Sequence, residues 1–142
     1  MTPTKACPVV LRGEGTATEI LAFVHPLAGR QLVKGTIEPG ESPAQAALRE
    51  LAEEAGLQAT VAAGALGDWP SGFRGQVWSF QRVHCVGPMP DGWTHACADD
   101  GGHVFRFFWH RLHGAPGADW HGVYVDALRF LRDALGPQRV AR

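Results

Sequence analysis

Closely spaced apolar positions mark two β-rich runs near the start of the chain, residues 6–12 and residues 19–25, with Ile20, Leu21, Phe23 and Val24 in the second. The intervening stretch, 13–18, suits a hairpin connection. A turn at 26–29 leads to a short apolar piece, 31–33. A loop follows at 34–41, whose Gly35, Pro39 and Gly40 no helix or central strand tolerates. The pattern then changes. Ser42 suits an N-cap, Pro43 the first helical position, and Gln45 falls where a capping box needs it. Residues 44–55 contain no Gly, no Pro and no β-branched side chain, so a helix is expected there, stopped by Gly56 at C′. Its buried arc reads as Ala44, Leu48, Leu51 and Ala55.

Three more strands are expected at 60–66, 76–86 and 103–111, rich in β-branched or aromatic residues. The Pro- and Gly-rich connection 87–102 reads as a long functional loop. A last helix is predicted over 124–135, with Val125, Leu128, Leu131 and Leu135 as its core stripe and Gly136-Pro137 ending it. Strands, helix, strands, helix predict a mixed sheet covered by helices, an α/β layered domain. At 142 residues, the chain reads as one domain over 1–142.

Composition narrows the functional classes. Gly and Pro make up about 20% of the chain, against a usual ~12%, which favours a loop-rich globule over long bundled helices. The net charge of -1 provides no global field for nucleic acid or an anionic membrane, so neither is expected as a stable partner. No run approaches the ~18 apolar residues of a membrane span. Cys7, Cys85 and Cys97 are odd in number and irregularly spaced, unlike a secreted disulfide framework. A reduced, cytoplasmic protein is the expectation. His84-Cys85 and His95-Ala96-Cys97 lack the spacing of a zinc site, and none is expected.

The chemistry concentrates on the first helix. At about 100° per residue, Glu53 falls near -60° and Glu54 near +40° from Glu50, so three carboxylates share roughly one arc. Taken alone such a cluster better suits a solvated face of a surface helix, but it asks for a compensating cation. The loop before it separates the two readings. Lys34 to Glu41 brings flexible backbone, a fourth carboxylate and a helix N-terminus suited to phosphate toward the same helix.

Gly35, five residues, Glu41, seven residues, then Arg49-Glu50-Leu51, Glu53-Glu54 and Gly56-Leu57 resembles the complete signature box of the Nudix hydrolase superfamily (MutT-like), with all nine specified positions matched. The resemblance implies a Nudix-type α/β/α sandwich with a mixed β-sheet. It also implies hydrolysis of a diphosphate linkage in a small-molecule nucleoside diphosphate derivative, using Mg²⁺ or Mn²⁺. By the same resemblance Glu50, Glu53, Glu54 and the Gly35 carbonyl are metal ligands, and Arg49 orients a box glutamate. Glu41 supports the loop or reaches metal through water. Mg²⁺ favours such hard oxygen donors. A carboxylate must accept the water proton. Within the family this is a box glutamate or a loop acid, here Asp99 or Asp100, with Asp119 a lesser candidate.

Other candidates are secondary. Lys34 is placed to contact a substrate phosphate. Trp78 and Trp109 read as core, whereas Trp69, Trp93 and Trp120 lie near loops and are candidates for stacking a nucleobase. The Lys34-Gly35-Thr36 and Asp99-Asp100-Gly101-Gly102 stretches resemble small bacterial members of the family, which implies nucleoside triphosphates or dinucleoside polyphosphates as the favoured substrates. The alternative is a non-catalytic Nudix-fold nucleotide-binding or regulatory module. Such a module is expected to have lost box glutamates, and all of them remain. A prenyl diphosphate isomerase would need further catalytic residues and a longer chain.

Overall fold

The computed structural model describes residues 1–58, 60–98 and 101–136. Its strands are β1 (Lys5–Val9), β2 (Leu11–Arg12), β3 (Glu19–His25), β4 (Gly29–Gln31), β5 (Gly35–Thr36), β6 (Thr60–Pro70), β7 (Val77–Cys85), β8 (Trp93–Cys97) and β9 (His103–Arg111). Two helices, α1 (Pro43–Glu50) and α2 (Gly122–Leu135), accompany them. The first sheet has the order β5-β1-β7-β6 and is mixed, because β1 runs parallel to β7 while β5 and β6 pair antiparallel. The second runs β2-β3-β9-β8, with β4 also on β3, and is antiparallel throughout.

The run expected at 6–12 is therefore divided between the two sheets. Pairing breaks at Val10, a buried residue whose carbonyl accepts from Leu21 N at 2.9 Å. The hairpin itself joins β2 to β3, with Leu11 opposite Ile20. Alternation along each strand then sorts side chains to opposite faces. Leu21 and Phe23 pack with Ala46, Ala47 and Leu51 of the first helix, while Ile20 and Ala22 pack with Ala127, Leu128 and Leu131 of α2. Two helices thus cover opposite faces of the β layer, an α/β/α sandwich. Each fully buried Leu, such as Leu51 or Leu131, contributes about 1.5–3 kcal/mol.

Helix α1 begins as its sequence dictates. Ser42 Oγ accepts from Gln45 N at 3.1 Å, and Ser42 N donates to Gln45 Oε1 at 2.8 Å, completing the capping box ahead of Pro43. Its buried face is rotated from the expected one. Ala46, Ala47, Glu50 and Leu51 face inward, while Ala44 and Leu48 are only partly buried. The two alanines let the helix close on Ala6 of β1, and Glu50 is carried inward with them.

The expected helix 44–55 also changes character. Residues Leu51–Ala55 form a π-turn, closed by Gly56 in the left-handed region at φ 73°. Such turns are rare and concentrate at functional sites. In α2 the buried residues are Val123, Tyr124, Ala127, Leu128 and Leu131, with Val125 and Leu135 at the margin. An aliphatic-only stripe had omitted Tyr124 and Ala127, which turn the buried face.

Strand β6 extends past the expected 60–66 to Pro70. Gly67, at φ 135°, sits at a register shift, and the proline ends an edge strand. The supposed loop 87–102 contains β8, which pairs with β9.

Candidate active site

Strand β5 pairs with β1, placing Gly35 opposite Ala6 and Thr36 opposite Lys5. This pairing lays the Gly35 backbone directly against the Glu50 carboxyl group. A Cβ on Gly35 would overlap that carboxyl, so only glycine allows the approach. Glu50 itself is 7% exposed, an unusual place for a charge.

Arg49 makes that placement possible. Its Nε and Nη2 grip both oxygens of Glu41, at 2.7 and 2.9 Å, in a fork-like pair. Nη2 also donates to the Thr36 carbonyl at 2.8 Å. Nη1 donates to Glu50 Oε1 at 2.8 Å and to Glu53 Oε2 at 3.3 Å. The cation demanded by Glu50 and Glu53 therefore comes from the same helix. Glu41 Oε1 accepts a further bond from Glu38 N at 2.9 Å. The hydrogen bonds from Arg49, then that backbone bond, hold the Glu41 carboxyl at about 2, well below its ordinary value. Glu54 is half-buried beyond this network, with Oε2 withdrawn from solvent.

The ridge forms one side of a cleft of about 990 Å³. Three cations from three different segments line it: Lys5 of β1, Lys34 just before β5, and Arg74 from the turn joining β6 to β7. Among the described residues none of the three joins an ion pair with a carboxylate. Lys5 Nζ donates to Thr36 Oγ1 at 2.7 Å, and Lys34 Nζ lies 4.8 Å from the Trp78 ring centroid. Burial holds Lys34 below the ordinary lysine range, and the nearby charge of Lys5 pushes the same way. Arg74 occupies the left-handed region at φ 51°, uncommon for a residue with a side chain, in a turn tied by Ser71 Oγ to Gln76 O at 2.8 Å. Phe73, beneath the Arg74 guanidinium, meets His121 edge-on at 5.6 Å.

Sequence reasoning brought Gly35, Arg49, Glu50, Glu53, Glu54 and Lys34 to this cleft, and the structure places all six along it. Asp99 and Asp100 lie outside the described residues. Asp119 does not line the cleft; it pairs with Arg30 Nε at 2.6 Å. None of the tryptophans lines it either. Trp69 packs on Trp78 and Phe130, Trp120 against Phe108 and His110, and Trp93 on Phe107. Lys5, Phe73, Arg74 and His121, which also line the cleft, were missed. Phe73 and Arg74 sit in a Gly-rich turn whose closure on the cleft depends on β6 outlasting its expected end.

The donor set fits a hard divalent cation. Among the described residues no three acidic, histidine or cysteine side chains close around an ion by themselves. Mg²⁺ does not require that, since it keeps waters and is held by one or two carboxylates together with substrate phosphates. Arg49 takes only Oε1 of Glu50, which leaves Oε2 available. The Gly35 carbonyl, Glu53 and Glu54 supply further oxygens.

A NUDIX domain family model matches residues 2–128. The chain belongs to the Nudix family. With every position of the box in place, it is a Nudix pyrophosphohydrolase. No curated protein matches it. Similar solved structures include RenU, a Nudix hydrolase from M. smegmatis, with a TM-score of 0.63 and 16% identity over 94% of this chain and 86% of that one. An ADP-ribose pyrophosphatase from Streptococcus suis gives 0.61 and 15% over 93% and 92%. The Ap4A hydrolase of C. elegans gives 0.59 and 19% over 96% and 100%. At these identities the likeness establishes the shared fold.

The Glu41–Arg49 pair makes the stability of this Nudix domain depend on acid. Because the folded-state pKa of Glu41 is depressed, its contribution is fully present above the ordinary value of 4.5 and is lost as pH falls toward about 2. Glu41→Gln is expected to flatten the fall in Tm between pH 5 and 2, measured by thermal circular dichroism. An unchanged slope contradicts the assignment.

Proposed function

We propose that this Nudix hydrolase uses Mg²⁺ or Mn²⁺ to cleave a diphosphate linkage in a nucleoside-diphosphate-type compound, with nucleoside triphosphates and dinucleoside polyphosphates favoured. The observation that carries the reading is Glu50, a carboxylate buried against the Gly35 backbone with one oxygen fixed by Arg49. A merely solvated acidic face would not draw this glutamate inward or need glycine opposite it. In this reading Glu50, Glu53, Glu54 and the Gly35 carbonyl hold the ion, and residues 1–142 form one domain that works in the cytoplasm. No helix among the described residues is long and apolar enough to cross a membrane.

When bound, the ion supplies neutralisation of the diphosphate oxygens and lowers the pKa of the attacking water. The residues of the chain supply the rest. Arg49 holds the Glu50 carboxylate in orientation through its Nη1 hydrogen bond to Oε1. Glu54, withdrawn beside Lys34, or a loop acid at Asp99 or Asp100, accepts the proton released when water attacks phosphorus in line. Lys5, Lys34 and Arg74 line the same cleft and attract the phosphate chain. Phe73 and His121 offer ring surface to a nucleobase. Three cations along one cleft suit a polyphosphate better than a neutral sugar, which favours the two substrate classes named.

Two outcomes are expected. In a Mg²⁺-dependent phosphate-release screen over nucleotides, dinucleotides and sugar nucleotides, Glu54→Gln lowers turnover of the best substrate by at least about a hundredfold with the fold intact, while Asp100→Asn slows it far less. Near-wild-type turnover of Glu54→Gln overturns the metal assignment; an equally damaging Asp100→Asn places the base in the loop. Separately, Arg74→Ala raises KM for a nucleoside triphosphate roughly three- to tenfold, the loss of one exposed charged contact worth about 1 kcal/mol, and leaves KM for a sugar nucleotide little changed. Equal losses on both substrates remove Arg74 from phosphate binding.

A further inference from the structure

The π-turn Leu51–Ala55 carries Glu53 and Glu54, and it ends a helix whose last carbonyls need partners. Two of these are satisfied locally: Gly56 N donates to Ala52 O at 3.1 Å and Leu57 N to Leu51 O at 3.3 Å. Two others are satisfied from β8. Trp93 Nε1 donates to Ala55 O at 2.9 Å, and His95 Nε2, facing a carbonyl that can only accept, donates to Glu53 O at 3.1 Å. Both side chains share one face of β8, since they are two residues apart on the strand.

The donors are themselves held. The Trp93 ring stacks on Phe107 at 5.2 Å with 9° between the planes, and Phe107 lies directly opposite Trp93 in the β8–β9 ladder. The His95 ring sits against Gly56, where a Cβ would come within 2.8 Å of Nδ1. Glycine at 56 is thus required twice, for its left-handed φ of 73° and for the space the imidazole occupies.

We propose that Trp93 and His95 are positioning residues for the acidic ridge. From β8 they clamp the carbonyls of the π-turn, and so set where Glu53 and Glu54 stand relative to Glu50. A regular helix would turn with one residue fewer and move both glutamates against Glu50. The inference rests on the metal-dependent reading of the site, and it assigns no contact of either residue with substrate. Partners that orient ligands in this way typically carry 10- to 100-fold of metal affinity.

The test is Mn²⁺ binding to the full chain without substrate, read from the electron paramagnetic resonance signal of free Mn²⁺, alongside Mg²⁺-dependent turnover. Trp93→Phe keeps the stacked ring and loses the N–H. His95→Leu loses its donor, whereas His95→Gln restores one near the Nε2 position. Trp93→Phe combined with His95→Leu is expected to weaken Mn²⁺ binding about 10- to 100-fold and to raise the Mg²⁺ concentration needed for half-maximal turnover in parallel. The substrate KM at saturating metal stays within about twofold of wild type, and combining Trp93→Phe with His95→Gln instead recovers most of the lost affinity. Trp93→Phe alone carries the comparison if the double variant does not fold. Wild-type Mn²⁺ affinity in the folded variants overturns the clamp while leaving the metal reading standing. No Mn²⁺ binding by the wild-type chain overturns the metal reading and the clamp with it.

Discussion

One guanidinium organises this site. Arg49 spends its donors on Glu41, Glu50, Glu53 and the Thr36 carbonyl, so it ties the glycine-bearing segment, the entry to α1 and the acidic ridge into one unit. Without a cation in this position, Glu50 would be an uncompensated charge at 7% exposure, which burial penalises heavily. A lysine would not replace it, because the geometry uses the planar fork toward Glu41 and a separate nitrogen toward Glu50.

The surrounding fold exists to deliver that unit. Ala46 and Ala47 bring α1 close to β1, and β5, pairing with β1 on the same side, sets Gly35 beneath the helix. The π-turn then carries Glu53 and Glu54 out of the regular helical path, and β8 receives its carbonyls. Lining the same cleft are three cations, Lys5, Lys34 and Arg74, drawn from different segments of the chain. Like charges gathered in one cleft repel one another, which costs stability.

Much of this was legible in the residues. The capping box, the stop at Gly56, strand β9 and the layered α/β class follow from local chemistry that tertiary structure did not override. The box motif brought its glycine, arginine and glutamates to one ridge because their spacing is short and mostly helical. What escaped has identifiable causes. The π-turn is invisible to a fixed 100° rotation, so the angular placement of Glu53 and Glu54 was that of a regular helix. Strand β8 hides among Pro88, Pro90 and Gly92, although Trp93, His95 and Cys97 alternate inward at period two. The Phe73–Arg74 turn reaches the cleft only because the edge strand β6 absorbs Gly67 at a register shift and runs on to Pro70. Long-range placement of that kind has no local signature.

The central claim is that the Gly35–Glu50 junction grips a divalent ion. Anomalous scattering from a crystal soaked in Mn²⁺ measures this directly. The account predicts a peak at about 2.0–2.6 Å from the Gly35 carbonyl and from at least one oxygen among Glu50, Glu53 and Glu54. Manganese bound only elsewhere, or no peak at the ridge of a well-ordered crystal, contradicts it.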